Sequence, residues 1–174
     1  MSQAVSRLTG MKWVLAAVLV LGAAAVASRF LDDEPTADPA GAVVTRVVDG
    51  DTIHVAIGGH DETVRLIGIN TPETVDPRSP VECFGEQAHE HTAELLPKGT
   101  PVRLVRDVEA RDRYHRLLAY VYRTKDDLFV NLELARDGYA DLLTFPPNVA
   151  HVDDFTVAVR EARDASRGLW SACR

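Results

Sequence analysis

Residues 42–69 constrain the fold more than any other part of the 174-residue chain. Residues 42–48 are rich in valine, Asp49-Gly50 is a tight-turn dipeptide, and residues 51–57 alternate with Ile53, Val55 and Ile57 on one face. Gly58-Gly59 supplies the next turn, and residues 63–69 form a third strand. Three short strands joined by glycine turns make a meander, which has to curl or be covered to hide its edges.

The third strand changes character at its end. Val64 to Ile69 reads as a half-buried strand; Asn70-Thr71-Pro72-Glu73 is a turn bearing polar groups. Pro72 fixes its own φ and pushes Thr71 away from helix, so the chain leaves the strand in an extended, stiff turn. Arg65, Asn70 and Glu73 are thereby gathered near one strand end. A guanidinium that grips phosphate bidentately, beside a carboxylate that takes a proton from water, suits phosphodiester hydrolysis. A strand turn with a surface ion pair is the plain alternative.

Residues 74–84 hold two prolines and no period, and read as a loop. Residues 86–96 place Ala88, Thr92, Leu95 and Leu96 on one helical face, closed by Pro97. Strands follow at 101–106 and 116–123. Asn131 is placed to cap a short helix ending at Gly138, and a last helix spans 152–167 with Gly168 as its C-cap. The expected class is α+β: a five-stranded barrel of the oligonucleotide-binding (OB-fold) type with about three packed helices, a plain α+β sandwich being the competitor.

Ahead of this domain (42–174), residues 1–27 carry Arg7 and Lys12 without an acid, then a 15-residue apolar run ending in Ala25-Val26-Ala27. This is the pattern of an export signal, and the run is short for the roughly 20 residues that span a bilayer. Whether cut or kept as a membrane anchor, it sends the remainder out of the cytoplasm. Residues 28–41, acidic and broken by proline, form a solvated linker. Secretion or a cell-envelope location is expected, with monomer as the default state.

Cys83 and Cys173 are the only cysteines, and both lie on the exported side. A disulfide is expected over two free thiols in that compartment. The net charge of −7 becomes −9 if the signal is removed, which argues against a general nucleic-acid binder. Approach to phosphate then needs local cations, either arginines or a metal. Asp51, freed from the turn role that Asp49 fills, is the candidate carboxylate for a hard cation. Arg116 starts a strand after Asp112-Arg113-Tyr114-His115. His89 and His91 stand two apart on a helix and point away from one another, so they read as solvated surface. The chain has no nucleophilic serine motif, phosphate-cradling glycine loop or cysteine metal pattern.

Three blocks, Val47-Val48-Asp49-Gly50-Asp51-Thr52, Arg65 through Glu73, and Asp112 through Val121, resemble the signature blocks of the staphylococcal nuclease-like (thermonuclease) family in order and spacing. Residues 131–138 and Gly168-Leu169-Trp170 resemble it too, so the likeness covers roughly 42–170. It implies a five-stranded barrel with helices and calcium-dependent hydrolysis of DNA and RNA to 3'-phosphates and 5'-hydroxyls. Matched by position, Asp51 is a calcium ligand and Thr71 ligates through its carbonyl. Arg65 and Arg116 clamp the phosphate, and Glu73 acts on the attacking water. Asn70 stands where the family commonly has a second calcium-binding aspartate, which removes one negative charge and implies weaker calcium binding. His115 replaces a usual glycine, and Phe145 partly stands in for tyrosines that stack a base. Two rivals are a catalytically inactive OB-fold module that only binds nucleic acid, and a tethered envelope domain with a protein or polysaccharide partner.

Overall fold

The computed structural model describes residues 41–74 and 80–173. Residues 1–27, and all of the linker but Gly41, lie outside them. Among the described residues no helix is long and apolar enough to cross a membrane.

The meander is present: β1 (Ala42–Asp49) pairs antiparallel with β2 (Thr52–Ile57), and β2 with β3 (His60–Leu66). On the other side of β1 lies β5 (Pro101–Val105), itself antiparallel to β6 (Leu117–Arg123). β6 also runs parallel to β3, placing Val64, Arg65 and Leu66 beside Leu117, Leu118 and Ala119. That pairing closes the sheet into a five-stranded barrel and removes the free edges of the meander, so the sandwich alternative is excluded. Val44, Ile53, Val55, Val64, Leu66, Val102 and Val121 fill its interior, the inward half of each strand's alternation.

The third strand stops earlier than its pattern predicts. It breaks at Ile67, and β4 (Gly68–Asn70) leaves the barrel to pair with β8 (Asp141–Leu143). Gly68 makes this possible: it takes φ 86°, and a Cβ there would lie 2.2 Å from the Phe155 ring. The segment that carries Asn70 is thus swung off the barrel wall, with the last long helix packed against its bend.

Among the described residues four helices accompany the barrel: α1 (Gly85–Leu95), α2 (Val130–Arg136), α3 (Val152–Asp164) and α4 (Leu169–Ala172). β7 (Leu128–Phe129) extends β6 and leads into α2. α1 buries Ala88 and Thr92, and Leu96 follows it into the core, as its apolar face predicts. Asn131, however, does not cap α2. The N-cap is Phe129, and Asn131 lies inside the helix, fully buried, reaching across to the barrel. Its amide accepts from Val121 N (2.9 Å) and donates to the carbonyls of Ile67 (2.9 Å) and Ala119 (3.2 Å).

The last helix is also shorter than predicted. After Asp164 the chain closes through Ser166 at φ 51°, with Arg167 N donating to Ala162 O at 2.9 Å, a Schellman-type ending. Gly168 instead opens α4. His91 is not solvated either: it stacks on Tyr139 with centroids 4.0 Å apart and reaches Asp137 at 3.1 Å. The expected disulfide joins Cys83, before α1, to Cys173, after α4.

Two stability outcomes follow from these connections. Asn131→Ala leaves Val121 N–H and the Ile67 carbonyl without their buried partner, and should lower unfolding free energy by about 3 kcal/mol or more in denaturant titrations. Loss of the bridge in Cys83→Ser reopens a loop of 90 residues, which the chain-entropy model sets at about 4 to 5 kcal/mol. Thermal unfolding without reductant should show it, and an unshifted midpoint would argue that the bridge contributes nothing.

Candidate active site

The β1–β2 turn is the floor of the site. Gly50 has to be glycine because the Thr71 side chain lies on it: a Cβ would sit 2.7 Å from Thr71 Oγ1. Thr92 Oγ1 on α1 donates to the Gly50 carbonyl at 2.7 Å, fixing the turn from below. Asp51, buried at the start of β2, then becomes a hub. Its Oδ2 accepts from Thr71 N at 2.9 Å, and its Oδ1 from Thr52 Oγ1 at 3.1 Å.

Arg65 on β3 faces this hub because Thr52 and Arg65 are register partners. Arg65 Nη2 lies 2.9 Å from Asp51 Oδ2 and donates to Asn70 Oδ1 at 3.2 Å, while Nη1 donates to the Leu66 carbonyl. Burial pulls this guanidinium below its ordinary pKa, opposed by Asp51, with repulsion from Arg116 acting in the same direction as burial. A guanidinium carries five donors, more than these three contacts take up among the described residues.

Arg116 sits one residue before β6, at the end of the turn that starts at Asp112. Asp112 Oδ1 accepts from the backbone N of Tyr114 (2.9 Å) and of Arg116 (3.0 Å), and Oδ2 accepts from Arg116 Nε (2.7 Å). Burial pushes Asp112 up, yet the hydrogen bonds from Arg116 hold it below the ordinary carboxylate value. His115 takes φ 66°, the left-handed conformation a glycine adopts freely, and closes the turn through His115 N to Asp112 O at 3.0 Å. The histidine thus preserves the glycine-type turn. Exposed Tyr114 lies beside it, its ring centroid 5.5 Å from Arg116 Cζ. Phe145, also exposed, follows β8 past Leu143, at the end of the β4–β8 pair opposite Asn70.

Glu73 leaves the turn beside Asp49. Asp49 is buried, its Oδ1 accepts from Thr74 Oγ1 (2.8 Å) and Gly50 N (2.8 Å), and it shares a side-chain hydrogen bond with Glu73. Burial, opposed by those two donors and reinforced by Glu73 and Asp51, raises the Asp49 pKa to about 6. Glu73 is also gripped through its backbone, N to Glu82 Oε2 at 3.0 Å and O from Glu82 N at 2.9 Å.

Comparisons with known proteins show the family. Residues 63–172 match the family model described as staphylococcal nuclease homologue. The chain is 42% identical over 128 residues to a thermonuclease of Staphylococcus intermedius, covering 74% of each chain. A thermonuclease of Staphylococcus hyicus is 38% identical over the same length, with 74% of each chain covered. Endonuclease YncB of Bacillus subtilis is 37% identical over 127 residues, 72% of this chain and 59% of that protein. The chain belongs to the staphylococcal nuclease family. It is a nuclease, a hydrolase built on the OB-fold barrel.

In this nuclease the expected residues come together by different routes. Asp51, Asn70, Thr71 and Arg65 are in direct contact, Glu73 joins them through Asp49, and Arg116 joins them through its charge on Arg65. Asp51 offers a carboxylate, and Asn70 and Thr71 neutral oxygens, a donor set that fits a hard cation. Two of those oxygens, Asp51 Oδ2 and Asn70 Oδ1, already converge on one cationic nitrogen. The buried Thr71 Oγ1 adds an oxygen with no partner among the described residues. No cluster of three or more His, Cys, Asp or Glu side chains stands ready for a metal among the described residues.

Asp49 fills the turn role its sequence position predicts, accepting from Gly50 N, and its contact with Glu73 is an addition. Glu82, which the sequence reading passed over, carried no signal. The Asp49 pKa makes a testable pH dependence. Below the unfolded value of 3.8 both states hold the proton; between 3.8 and about 6 only the folded state does, so stability falls as pH rises through that window. Asp49→Asn should be the more stable protein above pH 6 in chelator, by up to about 3 kcal/mol, with the difference vanishing near pH 4. Denaturation midpoints across pH read this directly; a difference independent of pH would contradict it.

Proposed function

We propose that this nuclease is exported and calcium-dependent, and that it hydrolyses DNA and RNA to 3'-phosphate and 5'-hydroxyl products. The observation that carries the reading is the largely buried Arg65, held by Asp51 and Asn70 within electrostatic reach of Arg116. Two guanidiniums on one rim can bracket a phosphodiester, each donating to non-bridging oxygens whose charge grows as water attacks. Asp51 and Asp112 fix their directions beforehand, so little reorganisation is needed in the transition state.

Glu73 takes the water's proton. Its carboxylate is suited to this because Glu82 fixes the backbone from which it projects. Asp51, Asn70 and the Thr71 carbonyl would hold calcium, which supplies positive charge facing the phosphate oxygens. With Asn70 in place of a carboxylate, calcium affinity should be lower than in a two-aspartate site. Export is supported by the charge and hydropathy pattern of residues 1–27 and by a disulfide of the kind that persists in oxidising compartments.

Release of acid-soluble nucleotide from denatured DNA by the purified protein tests the reading. Hydrolysis should require calcium and stop in chelator. Glu73→Gln and Arg65→Ala should each lower kcat on the order of 10²-fold or more. Undiminished activity in chelator would remove calcium, and full activity in both variants would remove the assigned roles.

A further inference from the structure

The contacts of Glu73 with Glu82 do not belong to the barrel, the phosphate clamp or the cation ligands, yet they bind both backbone groups of one residue. Glu82 Oε2 accepts from Glu73 N, and Glu82 N donates to Glu73 O. Glu82 itself is exposed and lies outside any strand or helix. Left alone, such a loop would lose conformational entropy to keep a solvent-exposed hydrogen bond.

Three further contacts hold it. Cys83, the next residue, is bonded to Cys173. Gly85 N donates to Glu82 O at 3.0 Å, and Gly85 packs so closely on the turn that a Cβ would lie 2.8 Å from Thr74 Cγ2 and 3.0 Å from Glu73 O. At the other end, Cys173 N donates to Leu169 O (2.9 Å), and Leu169 N to Gly138 O (2.9 Å). The α4 segment is further fixed by Arg163, whose Cζ lies 4.2 Å from the Trp170 ring. The disulfide therefore connects the anchored C-terminal segment to the residue that grips Glu73.

We propose that Glu82 is a positioning residue for Glu73 and that the Cys83–Cys173 disulfide holds Glu82 in place, so that turnover depends on the bridge. This rests on the reading of Glu73 as the group that acts on water. Glu82 touches neither phosphate nor water in this account; it acts through the direction of the Glu73 backbone. Both cysteines reach the surface at least in part, so the bridge is open to reduction. A dithiol attacks one Sγ, the other leaves as thiolate and takes a proton, and the reductant's second thiol releases the first sulfur. Two cysteine thiols and the reductant's disulfide result.

The test uses the full-length protein with calcium and denatured DNA, each variant shown folded at the assay temperature by circular dichroism. Glu82→Ala should lower kcat about tenfold with KM within twofold. Glu82→Gln, whose amide oxygen still accepts from Glu73 N–H, should recover most of that loss. Replacing both cysteines by serine should lower kcat comparably, and Glu82→Ala added to that background should lower it less than twofold further, because the two act in series. Glu82→Ala with kcat within twofold of the parent, alongside a Glu73→Gln that has lost activity, would overturn the proposal. So would fully multiplicative effects of Glu82→Ala and the serine pair. An active Glu73→Gln would instead remove the underlying role of Glu73. If the serine pair fails to fold, the two Glu82 variants still decide the role of Glu82, and kcat of the folded parent with and without a dithiol decides the role of the bridge: an unchanged kcat after reduction would overturn it.

Discussion

Parallel pairing between β3 and β6 spans only Val64–Leu66 and Leu117–Ala119, and the rest of the site depends on it. About fifty residues separate the two strands, and the crossover between them holds α1 and β5. Bringing such distant segments together is entropically unfavourable and is offset by burial, with Val64, Leu66 and Ala119 all in the core. Without this contact Arg65 would belong to one hairpin and Arg116 to another. With it, two cations are held on one rim against their mutual repulsion.

That repulsion is manageable because each guanidinium has its own carboxylate. Asp51 serves Arg65 and Asp112 serves Arg116, at 2.9 and 2.7 Å. The pairing also reconciles an acidic protein with an anionic substrate. Net charge governs long-range attraction, whereas a phosphate held between Arg65 and Arg116 as proposed would meet fixed donors at a few ångströms, where local geometry outweighs the mean field. Removing either aspartate would leave the arginine free to reorient and, for largely buried Arg65, without its charge partner.

Local features were legible in the sequence, and long-range partnerships were not. Glycine turns, alternation and the stiff Asn70-Thr71-Pro72-Glu73 corner act over a few residues, so the strands and the candidate residues could be read directly. The resemblance then supplied the roles, and the two cysteines suggested their own bridge. Asn131 was misread because a capping residue and a buried amide look alike in sequence; only the position of Ile67 and Val121 in space separates them. The break at Gly68 was missed for a related reason. Its cause is the ring of Phe155, 87 residues away in the chain. Glu82 looks like any other acid in a loop until the disulfide and Gly85 place it against Glu73.

Glu73 is controlled by two neighbours that differ in kind. Asp49 acts on its charge: a buried carboxyl, hydrogen-bonded to Glu73 and itself raised to about 6, shapes the electrostatic surroundings of Glu73. Glu82 acts on its place, through backbone contacts that do not alter which group holds a proton. A group that takes a proton from water needs both conditions, since a correctly ionised carboxylate aimed away from the water is no better than a protonated one aimed at it. The fold meets the first condition with the core side of the β1–β2 turn, and the second with an exposed loop tied down by a covalent bond. The first is therefore as stable as the barrel itself, whereas the second depends on a bond that a reductant can reach.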